Sequence, residues 1–270
     1  MTSAERLHRL DGQAAIVTGA SSGIGAATAV ELARAGASVA VNYRSDEAGG
    51  RRTLDDIERA GGRGILVQAD VSEEEAVRRM FDAAEEALGP IDIAVSNAGL
   101  QKDAAFAEMT LDDWNKVIAT NLTGGFLVAR EAVRRFRAKG LRPEVSAALG
   151  KIVFNSSVHE LIPWACRVNY AASKGGLALL MKSLAQEVAH ERIRVNSVAP
   201  GAIATDINKQ EREEAGEAIL DLIPYNRVGE PLDVASAIVW LCSDASDYVV
   251  GHALFVDGGM ALYPGFHGEG

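Results

Sequence analysis

The chain has 270 residues, 48% of them hydrophobic, and a formal charge of −10. That length suits a single α/β domain, and the acidity argues against a nucleic-acid partner, whose phosphates demand clustered Lys and Arg. Cys166 and Cys242 lie far apart with no CxxC pair, which suggests two free thiols rather than a metal site or disulfide.

Met1–Gln13 is polar and carries Arg6, His8 and Arg9 without an apolar run behind them, so it does not read as a signal peptide. No apolar stretch is long enough to span a bilayer; the expectation is a cytoplasmic protein with no membrane partner. Ala14–Thr18 then opens a series of short, nearly continuous apolar runs: Ser38–Asn42, Gly64–Ala69, Ile91–Ser96, Lys151–Asn155, Arg194–Val198 and Ala253–Val256. Continuous rather than alternating hydrophobicity predicts strands covered on both faces. Between them, Ile24–Ala35, Glu73–Leu88 and Leu177–His190 carry helical spacing, with Gly36, Gly61 and Gly89-Pro90 as stops. The alternation predicts a doubly wound, Rossmann-like parallel sheet of about seven strands, with helices on both faces and right-handed crossovers. Residues 1–270 read as one dinucleotide-binding and catalytic domain. Three stretches break the rhythm: a loop at Lys139–Gly150, a long charged segment within 202–227 that reads as a substrate lid, and a tail at 261–270.

Thr18-Gly19-Ala20-Ser21-Ser22-Gly23-Ile24-Gly25 follows the first strand and opens the first helix. Gly19 permits a sharp turn, while Gly23 and Gly25 let a pyrophosphate approach backbone N–H groups at a helix N-terminus. At the end of the second strand, where a NAD-selective fold places an acid, stand Tyr43 and Arg44. Arg44 can pair with a 2′-phosphate, with Ser21 or Ser45 adding a hydroxyl; Asp46 and Glu47 would soften that preference, and a solvated loop cation is the alternative. The expected cofactor is NADP, with NAD also accepted. Tyr170 and Lys174 are one helical turn apart, so phenol and ammonium share one face. A tyrosine ordinarily near pKa 10 would be drawn down by the ammonium towards a usable base. No His or Cys cluster has metal-ligand spacing.

The G-x-x-x-G-x-G spacing, with Tyr170-Ala171-Ala172-Ser173-Lys174 and Asn97-Ala98-Gly99, resembles the short-chain dehydrogenase/reductase family over nearly the whole chain. The resemblance implies adenine contact by Asp70 beside Val71, although Ser72 with Glu75 also fits a helix capping box. It implies passage of the cofactor over Asn97, Ala98 and Gly99. It implies a catalytic Ser157, thirteen residues before Tyr170, and a water relay from Asn121 to Lys174. It also implies that Pro200-Gly201 passes over the nicotinamide, with Ile203 and Thr205 gripping its carboxamide and Lys174 its ribose. A homotetramer is implied too, with helices near 112–139 and 169–190 at one interface.

Within the family the closer likeness is to glucose 1-dehydrogenases, on Val41–Ser45, Asp113–Ile118, Ser157–Glu160, Ile162–Trp164 and Asp257–Phe266. By that likeness the substrate is β-D-glucose or a related aldose, its C1 hydride passing to NAD(P)⁺. A polyol pocket needs hydrogen-bonding groups, and the candidates are Gln101, Ser157, His159, Glu160, Asn169, Tyr170 and Asn208. Gln101 stands where some relatives have Glu. The alternatives are a carbonyl or 3-oxoacyl reductase of the same family and a non-catalytic NADP-binding regulator.

Overall fold

In a computed structural model, which describes residues 7–205 and 216–262 (the side chains of 216–218 excepted), seven strands form one all-parallel sheet in the order β3-β2-β1-β4-β5-β6-β7. The strands are β1 (Ala14–Val17), β2 (Ser38–Tyr43), β3 (Arg63–Gln68), β4 (Ile91–Ser96), β5 (Gly150–Asn155), β6 (Ile193–Pro200) and β7 (Ala253–Val256). The helices are α1 (Gly23–Arg34), α2 (Glu47–Arg59), α3 (Glu74–Leu88), α4 (Leu111–Ile118), α5 (Gly124–Lys139), α6 (Val168–Val188) and α7 (Pro231–Cys242). A π-helical turn, Ala119–Thr123, joins α4 to α5.

The sheet is sandwiched because successive strand side chains point to opposite faces. Ile16, Ile152 and Phe154 meet Phe81, Phe136 and Met181 on one face; Val17, Ile93 and Val153 meet Leu32, Ile57, Val234 and Ile238 on the other. Both faces are dry, which accounts for the unbroken apolar runs. The sheet reverses its winding between β1 and β4, and a crevice opens there beyond the strands' C-terminal ends.

The 139–150 loop is anchored at the opposite, N-terminal end. Asp92 accepts from Lys139 Nζ at 2.5 Å, Arg142 Nη2 at 2.6 Å and the Ala14 N–H at 3.0 Å. Asp244, just past α7, accepts from Ser146 Oγ at 2.7 Å, and buried Lys151 donates to Ser146 Oγ at 2.6 Å and Gln13 Oε1 at 2.7 Å. Of the expected lid, 202–205 and 216–227 are described, with a seven-residue 3-10 helix at Gly216–Leu222 and a bridge between Ile203 and Gly229. Asn208 and tail residues 263–270 lie outside the described residues.

Candidate active site

The crevice is a continuous cleft of about 1290 Å³ running from the glycine loop to Tyr170. Its phosphate end is built by close backbone approach. Gly19 has φ 61°, and a Cβ there would stand 2.9 Å from Ala98 Cα; one on Gly25 would collide with Asn97 Nδ2 and the Gly19 carbonyl. Asn97 holds the loop by donating from Nδ2 to Thr18 O (2.8 Å) and Gly19 O (3.1 Å), while Thr18 Oγ1 accepts from the N–H groups of Asn97 and Ala98. Helix α1 starts at Gly23 behind an extended Ser22 that makes no side-chain cap, and its first turn holds no acid. Its leading N–H groups therefore face the cleft and suit an anion. Ser21, Ser22, Gly23, Ile24 and Gly25 all line it. These features fit a dinucleotide's pyrophosphate.

At the adenosine end, Arg44, Ser45, Asp70 and Val71 line the cleft, and Tyr43 does not. Tyr43 is buried, its ring beside Gly50. Strand alternation turns it inward and leaves Asn42 and Arg44 facing the cofactor space. Asn42, which the sequence reading passed over, accepts from Gly19 N–H (3.1 Å) and donates to Ala69 O (3.1 Å), tying three strand ends together. Arg44 is exposed and 4.0 Å from Asp70. Asp46 is occupied as the N-cap of α2, accepting from Gly49 N–H at 2.9 Å, and Glu47 pairs with Arg51. Helix α3 is not capped by Ser72: Glu73 holds the cap position, and the Ser72 hydroxyl donates to Asp70 at 2.7 Å.

At the reacting end, Ser157, Tyr170 and Lys174 line the same cleft. Ser157 follows β5 and accepts from His159 N–H at 3.2 Å. Tyr170 sits in the first turn of α6. Lys174, one turn on, donates from Nζ to Asn155 O at 2.8 Å and lies 5.5 Å from the Tyr170 ring centroid. The expected depression of the tyrosine is reversed in the chain itself. Burial pushes the phenol above its ordinary range, opposed by hydrogen bonding to Ser157 and Gln101. Burial likewise pushes Lys174 down to about 8, opposed by Glu160.

Three expected site residues stand behind the wall rather than in it. Asn121, in the π-helical turn, accepts from Leu100 N–H (2.9 Å) and donates to Leu100 O (3.0 Å) and Ser173 Oγ (3.1 Å), so its amide braces the loop after β4 against α6 without touching Lys174. Such widened turns frequently mark functional sites. Asn169 is wholly buried, donating to Lys102 O at 2.8 Å and accepting from Tyr170 N–H at 2.7 Å, so it fixes the start of α6. Glu160 is half-buried with one carboxylate oxygen lacking a partner, and burial raises its proton affinity.

The cleft wall beside Tyr170 comes instead from Leu100, Gln101, His159, Ile162, Trp164 and Arg167, and from Leu222, Met260 and Leu262 across it. Arg167, paired with Asp103 at 3.0 Å, had no sequence signal, because nothing in its spacing marks a loop cation for a cleft. Pro200, Gly201, Ile203 and Thr205 also line the cleft, and Thr205 packs near Gly23. Among the described residues, no group of three or more His, Cys, Asp or Glu is placed to hold a metal, and no helix is long and apolar enough to cross a membrane.

A glycine-lined crevice at the sheet's winding reversal, joined to a serine, tyrosine and lysine wall, defines a nucleotide-dependent α/β oxidoreductase architecture. A family model described as enoyl-(acyl carrier protein) reductase matches residues 19–261. The chain belongs to the short-chain dehydrogenase/reductase family. It is 47% identical over 264 residues to 3beta-hydroxysteroid dehydrogenase 1 of Eggerthella lenta, covering 97% of this chain and 98% of that protein. It is 42% identical to glucose 1-dehydrogenase 2 of Bacillus subtilis, covering 94% and 97%. Among solved structures, a gluconate 5-dehydrogenase from Burkholderia cenocepacia, in complex with NADP and tartrate, superimposes with a TM-score of 0.88 at 34% identity, covering 96% of this chain and 99% of that one.

Proposed function

We propose that the chain interconverts a cyclic secondary alcohol and its carbonyl form using NADP, with NAD also accepted. The observation that carries this reading is the placement of Ser157, Tyr170 and Lys174 on one wall of a cleft continuous with the glycine loop. Loop N–H groups from Ser22 to Gly25 would hold the pyrophosphate, Arg44 a 2′-phosphate and Asp70 the adenine; Ile203 and Thr205 would hold the carboxamide, and Lys174 the ribose hydroxyls. The bound nicotinamide supplies the hydride acceptor. Ser157 steadies the substrate oxygen as charge develops on it. Tyr170 Oη takes the hydroxyl proton in oxidation and returns it in reduction, and the Lys174 ammonium favours the ionised phenol. The balance is alcohol plus NAD(P)⁺ giving carbonyl, NAD(P)H and one proton.

The apolar side chains Ile162, Trp164, Leu222, Met260 and Leu262 suit a substrate with a largely hydrocarbon ring body. The aldose reading, with C1 of β-D-glucose oxidised to the lactone, is the second one. It is favoured by the glucose 1-dehydrogenase relative, but Glu160 and Asn169, expected to hold sugar hydroxyls, stand off the cleft. A panel of sugars, cyclic alcohols and ketones, followed by absorbance of the reduced nicotinamide, tests both. Tyr170→Phe should lose about 10²–10⁴-fold in kcat while still binding NADP. Unchanged turnover in that variant would overturn the oxidoreductase reading. We also propose a homotetramer assembled partly through exposed Leu111, Phe126 and Leu179 on α4, α5 and α6.

A further inference from the structure

Three planar side chains form a stack in the cleft wall next to Tyr170. The Arg167 guanidinium lies 4.0 Å from the Trp164 ring centroid. Trp164 in turn lies face to face with His159, centroids 4.0 Å apart and planes 19° from parallel. Both rings stand edge-on to Tyr170, at 6.2 Å for Trp164 and 6.3 Å for His159. Asp103 fixes the outer end through Arg167. The stack therefore fixes the plane of the imidazole.

Its hydrogen-bonding sense is fixed as well. His159 Nδ1 lies 3.1 Å from the Ile162 carbonyl oxygen. A carbonyl has no proton to give, so Nδ1 carries the hydrogen. Burial lowers the ring's proton affinity and the Arg167 charge adds to that, outweighing the Ile162 contact. The ring is then neutral, and Nε2 keeps a bare lone pair. Nε2 has no hydrogen-bond partner among the described residues, and His159 lines the cleft. A neutral imidazole nitrogen of this kind accepts from O–H or N–H and gains nothing from a carbonyl, an ether or a methyl group.

We infer that His159 is a specificity-determining residue, accepting at Nε2 the hydrogen of a second hydroxyl that the substrate carries close to its reacting carbon. This rests on the oxidoreductase reading of the cleft and narrows it. The preferred substrate is a ring alcohol with a neighbouring hydroxyl rather than a ring bearing one oxygen only. Stacking on Trp164 gives the acceptor an apolar surround, where leaving it unpaired is costly.

The test uses the full-length enzyme with NADP⁺ and two probe pairs: cyclohexane-1,2-diol against cyclohexanol, and D-glucose against 2-deoxy-D-glucose. The wild type should prefer the hydroxylated member of the pair it turns over by about tenfold or more in kcat/KM. His159→Phe keeps a stacking ring and removes the acceptor, and should bring that ratio close to one. A wild-type ratio near one, or a ratio unchanged in a folded His159→Phe enzyme, would overturn the assignment. Should the variant fail to fold, the wild-type ratio decides. Absence of turnover on every alcohol tested, with NADP bound, is the separate result that removes the underlying reading and this assignment with it.

Discussion

Lys174 is buried and Tyr170 half-buried, and desolvation acts on them in opposite directions. The phenol is raised, so the isolated chain holds it protonated at neutral pH and ready to give a proton. Oxidation, which needs the ionised form, should therefore rise with pH through and above neutrality, while reduction should fall once the phenol ionises. Pre-steady-state rates in both directions across pH would show this. Gln101→Glu would place a negative charge where the amide now meets Tyr170 and should move the acid limb of oxidation to higher pH; an unmoved limb would exclude that contact. Lys174, pushed down to about 8 from an ordinary value of 10.5, is a lysine whose folded proton affinity is depressed. Its protonated form thus opposes folding below pH 8 by up to about 3 kcal/mol, a penalty that fades as pH rises to the unfolded value. Lys174→Met should lose turnover yet unfold at higher denaturant than wild type at pH 7, with the gap closing by pH 10.5. The pairing of Tyr170 with Lys174 follows from i,i+4 geometry, which is local, whereas Ser157 was reached only through the family resemblance. Tyr43, Glu160 and Asn169 stand off the cleft, because a side chain's direction depends on strand parity and loop path, which neighbours in sequence do not state.

The strands were readable, since the central ones are covered on both faces and each run is largely apolar. Several boundaries moved by a residue or so, with β1 ending at Val17 and β3 running Arg63–Gln68, while β6 runs on to Pro200, whose neighbour in the sheet is Val256, and α6 begins at Val168, two residues before the tyrosine. The 139–150 loop was recognised as irregular, but not its anchoring, because Asp92 and Asp244 lie 50 and 98 residues from the groups they hold. Asp92→Ala would leave Lys139 and Arg142 without their buried counter-charge. The cost should be about 3–5 kcal/mol, read as a shift in the urea midpoint, with kcat unaltered at temperatures where the variant is folded. A fall in kcat there would mean that the far end of the sheet communicates with the cleft.

For the molecule as a whole, the all-parallel, doubly wound sheet followed from strand–helix alternation, whereas strand order was not read from the sequence and the proposed assembly has only exposed apolar side chains behind it. Leu111, Phe126 and Leu179 are exposed on α4, α5 and α6, at 73%, 43% and 67%, and would be covered in the proposed assembly. Light scattering on the wild type should give four chains, and Phe126→Asp with Leu179→Asp should give a smaller species; a monomeric wild type would remove the assembly. The foundation and the chemistry occupy opposite ends of the sheet. The wall beside Tyr170 is furnished by a few short segments near residues 100, 160, 222 and 260, which lie largely outside the two core clusters. A handful of replacements there can retarget the enzyme while barely altering overall identity. Relatives of similar rank can thus bear a steroid name in one case and a sugar name in the other. Transplanting those four segments alone from either relative should transfer its substrate preference onto this framework.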